Sequence, residues 1–73
     1  MNYAVIQRMR FIDIALSEYG RVNRSVLIEY FGLSAASATK DLSTYQEQHP
    51  GNMIYSTKSK SYVATSEFER AYT

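Results

Sequence analysis

The sequence predicts a single, mainly α-helical domain closed by a small β-hairpin, and three observations carry that prediction. Apolar residues in the first two-thirds of the chain recur at helical spacing. Gly20, Gly32 and Pro50-Gly51 cut that stretch into three segments, and two short runs rich in β-branched and aromatic residues follow. Seventy-three residues admit one domain, residues 1–73, with one modest core. A chain this short buries only about 60% of the surface its unfolded form exposes. Hydrophobic content of 45%, with seven tyrosines and three phenylalanines, predicts an ordered domain rather than a disordered tail.

The first helix is predicted over Asn2 to Tyr19. Val5, Met9, Ile12, Leu16 and Tyr19 fall in steps of four, three, four and three, which places them on one face. Gly20 is a stop able to take the left-handed conformation, and Arg21-Val22 reads as a short extended connector. Asn23 is an N-cap for a second helix from Arg24 to about Phe31, with Val26, Leu27, Tyr30 and Phe31 facing inward. After Gly32 and Leu33, Ser34 caps a third helix from Ala35 to about Gln48, whose buried side is lined by Leu33, Ala38, Leu42 and Tyr45.

Pro50-Gly51-Asn52 ends that helix. Met53-Ile54-Tyr55 and Ser61-Tyr62-Val63-Ala64 then read as two strands joined by Thr57-Lys58-Ser59-Lys60, a polar, basic tip without an Asn-Gly or Asp-Gly turn signal. Residues 66–73 contain Phe68 and Tyr72, and three fates stay open for them: packing back, fraying or serving as a dimerising tail.

Two helices joined by a tight Gly32-Leu33-Ser34 turn and followed by a hairpin form the layout of a winged helix-turn-helix. The outward face of the third helix, Ala35, Ala36, Ser37, Thr39, Lys40, Ser43 and Thr44, is nearly all small. Small residues allow close approach in a major groove about 12 Å wide, where methyls meet thymine methyls and hydroxyls bond phosphates or base edges. Ala35, Ala36, Ser37 and Lys40 are the candidates for base readout. Ser34, Thr39, Arg24, Lys58 and Lys60 are candidates for backbone contacts, and Ser43 lies on the same face. Arg21 also stands within reach of phosphate. The competing account of each is ordinary: small polar residues solvate an exposed helix, and lysines protect a hairpin edge.

The net charge is +1, so a polyanion partner depends on where positive charge is concentrated rather than on its total. His49, the one histidine, sits at a helix end beside Pro50, where the helix dipole favours it. No grouping of residues suggests catalysis, and no metal, cofactor or small-molecule effector is expected. With no cysteine, neither a disulfide scaffold nor a thiolate zinc site can form. Arg8, Arg10, Asp13 and Glu18 interrupt the first helix and argue against a signal peptide or membrane span, so a soluble, cytoplasmic protein is expected.

Tyr30-Phe31-Gly32-Leu33-Ser34, Ala38-Thr39-Lys40-Asp41-Leu42 and Tyr45 resemble the motif of DeoR-type winged-helix regulators. The likeness is closer to the N-terminal DNA-binding domain of bacterial WYL-domain repressors found with phage-defence systems. There Gly20-Arg21-Val22-Asn23-Arg24, Pro50-Gly51-Asn52-Met53-Ile54-Tyr55, and Tyr62-Val63 before Phe68 also find counterparts, so the resemblance spans roughly residues 8 to 68. It implies that the third helix reads double-stranded DNA, the hairpin is the wing, and the protein is a homodimeric repressor on an inverted repeat. Those regulators continue into a ligand-sensing WYL domain and a dimerising segment, whereas this sequence ends just after Phe68. Dimerisation is then expected through the first helix or the Phe68–Tyr72 tail. The helix-turn-helix core also departs from the pattern. Such motifs usually place a small residue four positions before the turn glycine and a branched one six after it, where this sequence has Ile28 and Ala38. The alternative function is a winged-helix module that binds protein, such as a phage or mobile-element factor pairing with a host regulator. An exposed apolar patch over Tyr55, Tyr62 and Phe68 would accompany it.

Overall fold

Each helix starts on a polar side chain that accepts from its own first turn. Asn2 Oδ1 accepts from Val5 N at 2.9 Å, Asn23 Oδ1 from Val26 N at 3.1 Å, and Ser34 Oγ from Ser37 N at 3.1 Å. In the computed structural model, which describes residues 2–72, these caps open α1 (Tyr3–Tyr19), α2 (Arg24–Phe31) and α3 (Ala35–Gln48). Gly20 and Gly32 close the first two at φ 78° and 68°, a left-handed backbone in which a side chain would be strained. Among the described residues no helix is long and apolar enough to cross a membrane.

The wing is β2 (Met53–Ser56) and β3 (Ser61–Ala64), antiparallel with Met53 opposite Ala64 and Ser56 opposite Ser61. The Arg21–Val22 connector proves to be a strand, β1, pairing with β3 through Arg21–Val63 and Val22–Tyr62. The sheet order is therefore β1-β3-β2. Gly20 aims the chain along β3, and its carbonyl accepts from Ala64 N at 2.9 Å. The core comprises Met9, Ile12, Ala15, Leu16, Val22, Leu27, Ala38, Leu42, Tyr45 and Met53, with Ile28, Phe31, Leu33 and Phe68 packed partly buried against it.

Three residues expected inside are outside. Tyr19 is 80% exposed because the chain turns at Gly20 and Val22 of β1 fills the core there instead. Val26 and Tyr30 are also exposed. Five of the eight residues of α2 are apolar, so more than one face could have turned inward. The fold buries Leu27 and partly buries Ile28 and Phe31, a rotation that turns Val26 and Tyr30 out.

Polar tethers fix α3 against α1. Arg8 Nε of α1 pairs with Asp41 of α3, and Tyr45 OH donates to Asp13 Oδ1 of α1 at 2.6 Å. Asp13 is fully buried, and it also accepts from Arg70 Nε at 2.7 Å, Ala71 N at 2.9 Å and Tyr72 N at 3.1 Å. The segment after β3 thus packs back on the domain. Among the described residues, no buried side-chain nitrogen or oxygen lacks a partner.

Burial raises the Asp13 pKa, but the hydrogen bonds from Tyr45, Tyr72 N, Arg70 and Ala71 N outweigh it and hold the carboxyl below its ordinary 3.8. Burial and the neighbouring Asp13 push the Tyr45 phenol well above its ordinary 10.0. A depressed acid adds stability that is present above its unfolded pKa and lost as pH falls through the folded one. A raised phenol adds stability present below its unfolded pKa and lost as pH rises beyond it. Thermal melts should therefore show a loss of stability below the ordinary carboxylate value of 3.8 and another above 10.0. Asp13→Asn, though less stable at neutral pH, should flatten the acid limb; an acid limb as steep as the parent's would show that Asp13 is not its source.

Ala38 is fully buried and Ile28 is packed against the same core, the placement in which a larger residue at one position would offset a smaller one at the other. Ala38→Ile alone should cost about 1–3 kcal/mol by overpacking. Adding Ile28→Ala should recover part of that loss, and purely additive losses in the double-mutant cycle would refute the pairing.

Candidate nucleic-acid interface

The turn that aims α3 uses up one of the side chains expected to face a ligand. Ser34 Oγ accepts from Ser37 N and donates to Ser37 Oγ at 3.1 Å, so its hydroxyl is committed to the cap. The first-turn N–H groups of Ala35 and Ala36 and the hydroxyl hydrogen of Ser37 are not consumed by that cap. Ala35, Ala36, Ser37, Thr39, Lys40 and Ser43 are all exposed, whereas Thr44 is half-buried at the edge of the face. Ala38, Asp41, Leu42 and Tyr45 form the opposite, buried side.

A groove runs between the start of α2, the flank of α3 and the wing. Arg24, Thr39 and Lys60 line it together with Asn23, Ser25, Leu42, Tyr55, Ser59, Ser61 and Tyr62, so it holds two cations and no carboxylate. Three segments far apart in sequence thus bring three of the candidate residues to one surface. Lys58, on the wing tip, and the alanines opening α3 do not line the groove. Arg21 borders a second cleft with Phe11, Ile14 and Tyr19. Among the described residues the ion pairs are Arg8–Asp41 and Arg70–Asp13, which leaves Arg24, Lys40, Lys58 and Lys60 without a carboxylate partner.

Lys60 closes the wing turn at φ 53°, the one non-glycine residue with positive φ among those described. Serines hold that turn in place of the missing Asn-Gly signal: Ser59 N donates to Ser56 Oγ at 3.3 Å, and the Ser59 and Ser61 hydroxyls are bonded at 2.9 Å. The left-handed backbone thereby determines where the Lys60 side chain leaves the strand. Tyr55 and Tyr62 stack edge to face on the wing at 5.1 Å, and both border the groove. Phe68 and Tyr62 are both packed partly buried against the core, which leaves Tyr55 as the exposed one of the three.

Sequence reasoning missed Asp13 and Asp41, although both had left a signal. Met9, Ile12, Asp13 and Leu16, like Ala38, Asp41, Leu42 and Tyr45, fall at i, i+3, i+4 and i+7, so each inward stripe contains an aspartate. A carboxylate in such a stripe requires a buried partner. His49 follows the last turn of α3 as its C-cap, and its Nε2 lies 3.1 Å from Tyr72 OH.

A tight helix-turn-helix with a small-residue second helix and a wing beside a cationic groove defines the winged helix-turn-helix class. The chain belongs to the BrxR transcriptional regulator winged helix-turn-helix domain family, whose sequence model matches residues 4–73. It is similar to proteins described as the DNA-binding transcriptional repressor CapW. Identity is 43% over 63 residues for the Stenotrophomonas maltophilia protein, covering 86% of this chain and 21% of the relative. It is 39% over 66 residues for that of Escherichia coli and 35% over 66 residues for that of Pseudomonas aeruginosa, each covering 90% of this chain and 22% of the relative. The chain thus spans about a fifth of the length of these relatives.

The backbone at Lys60 separates shape from charge. Lys60→Asn should keep the turn, because asparagine tolerates the left-handed region, whereas Lys60→Val should lower unfolding free energy by about 1–2 kcal/mol relative to it. Equal denaturation midpoints for the two variants would show that the positive φ imposes no constraint.

Proposed function

We propose that this domain binds double-stranded DNA sequence-specifically, as the DNA-reading part of a transcriptional repressor. The observation that carries the proposal is the carboxylate-free groove of Arg24, Thr39 and Lys60 beside an α3 face of small, exposed residues. Laid in the major groove, α3 offers Ala35, Ala36, Ser37 and Lys40 to base edges. Thr39, Ser43 and the opening N–H groups of α3, with Arg24, Lys58 and Lys60, meet the phosphates. Ser34 contributes as the cap that orients those N–H groups. Membership of the BrxR family, and similarity to proteins whose descriptions name them DNA-binding transcriptional repressors, support the assignment.

One small module makes few base contacts, so the regulator acts in the cytoplasm as a homodimer on an inverted repeat. Its half-sites lie about one helical turn or a multiple of it apart. A second account, a module that binds protein rather than DNA, draws on a different face. Tyr30 is 71% exposed and stacks on Phe11 at 4.8 Å, near exposed Ile14, Tyr19 and Val26. Salt dependence separates the two.

Affinity for mixed-sequence duplex DNA should fall linearly on a log–log salt plot, with the slope for Lys58→Ala/Lys60→Asn shallower by about two. On a selected operator, Lys40→Ala should cost about 1–3 kcal/mol and relax sequence preference. A folded sample that fails to bind duplex even at low salt would overturn the DNA-reading function and favour the protein-binding account.

A further inference from the structure

We propose that residues Glu69–Tyr72 form a clasp that sets the pose of α3, so that docking of this tail and binding of DNA are thermodynamically linked. The DNA half of the proposal rests on the function proposed above. The clasp reaches α3 by three routes. Arg70 Nε and the Ala71 and Tyr72 N–H groups converge on Asp13, whose other oxygen accepts from Tyr45 OH of α3 at 2.6 Å. The Asn52 amide donates both to Tyr45 OH at 3.0 Å and to the Glu69 carbonyl at 2.8 Å, and its oxygen accepts from Glu69 N at 3.1 Å. Tyr72 OH donates to Gln48 Oε1 at 2.7 Å and lies 3.1 Å from His49 Nε2, both at the end of α3.

What holds the tail is mainly polar. Glu69, Arg70 and Ala71 are exposed, and only Phe68 and Tyr72 add partly buried apolar surface. A short segment held this way undocks at a free energy well below that of global unfolding. Undocking is nevertheless not silent, because it leaves the buried Asp13 carboxylate with Tyr45 as its one remaining donor. An undersolvated carboxylate draws in water or moves, and either response loosens Tyr45. Among the described residues, the Arg8–Asp41 pair, one turn back along α3, then remains as the only polar tether between α1 and α3. With both tethers in place the rotation of α3 on its packed side is fixed. With Tyr45 loosened, that rotation is left to the Arg8–Asp41 pair, the buried Ala38 and Leu42 and the bond from Gln46 to the Met53 carbonyl, and the reading face can shift. Linkage makes the effect reciprocal: DNA binding tightens the clasp, and any chain or partner that draws Tyr72 away weakens DNA binding.

The test compares the 73-residue protein with Arg70→Ala, with Arg70→Lys, which keeps a cationic donor, and with a chain ending at Phe68. All are measured well below their melting midpoints, so that loss of folded protein does not contribute. Duplex affinity should fall about tenfold in the shortened chain, less in Arg70→Ala, and least in Arg70→Lys. Without DNA, backbone amide shifts should move along Ala35–Lys40, at the far end of α3 from the clasp. Unchanged affinity in folded variants, or shifts confined to the neighbours of Asp13, Tyr45 and Asn52, would overturn the proposal. If the parent protein binds no duplex, the DNA-reading function falls, while the shifts along α3 alone still decide whether the clasp sets its pose.

Discussion

The buried carboxylate of Asp13 holds this domain together at the point where its segments meet. Three backbone and side-chain donors from the tail and the Tyr45 phenol of α3 converge on it from α1. An isolated carboxylate so placed would cost several kcal/mol. With that many donors it stays ionised and ties every donor's position to its own. A 73-residue chain has few apolar residues with which to fix the relative positions of three helices. Dispersion and burial are non-directional, and a core of aliphatic side chains tolerates small slides. The carboxylate and the Arg8–Asp41 pair add direction, at two heights along the same pair of helices.

That division of labour explains why the exposed side of α3 can be built almost wholly of small side chains, with Lys40 as its long one. Its inward stripe of Ala38, Asp41, Leu42 and Tyr45 is buried, whereas the outer face is exposed. Ala35, Ala36, Ser37, Thr39 and Ser43 can therefore be small, and a helix with a small outer face enters a groove more deeply than one bristling with long side chains. The turn before it serves the same end. Gly32 takes the left-handed conformation and Ser34 spends its hydroxyl on the cap, which directs the opening of α3 outward.

Electrostatics follow the same geometry rather than the net charge of +1. Arg8 and Arg70 are committed to buried aspartates, where they serve the fold. Arg24 and Lys60, from opposite ends of the motif, are left beside one groove that no carboxylate lines, with Lys40 and Lys58 also unpaired. A chain near neutrality can thus present a locally cationic surface, because its acids are either buried or carried elsewhere.

The elements themselves were legible because their causes are local. The Asn23 and Ser34 caps act over three residues, Gly20 and Gly32 act at single positions, and the wing follows from β-branched and aromatic runs. The small outer face of α3 could be read for the same reason. The face chosen by α2 could not, since five apolar residues in eight allow more than one rotation, and Tyr30 and Val26 ended outside. Nor could the pairing of Arg21–Val22 with β3 or the docking of the tail be read. Asp13 meets Tyr45 across 32 residues, Arg8 meets Asp41 across 33, and Arg70 reaches Asp13 across 57. The amino-acid sequence by itself determined the three helices with their caps and the two strands of the wing, and it carried, unread, an aspartate in each of two inward stripes. Only the tertiary structure decided which partners those aspartates took, because a buried charge is satisfied by whatever donor the folded chain brings within reach, and sequence separation says nothing of which donor that will be.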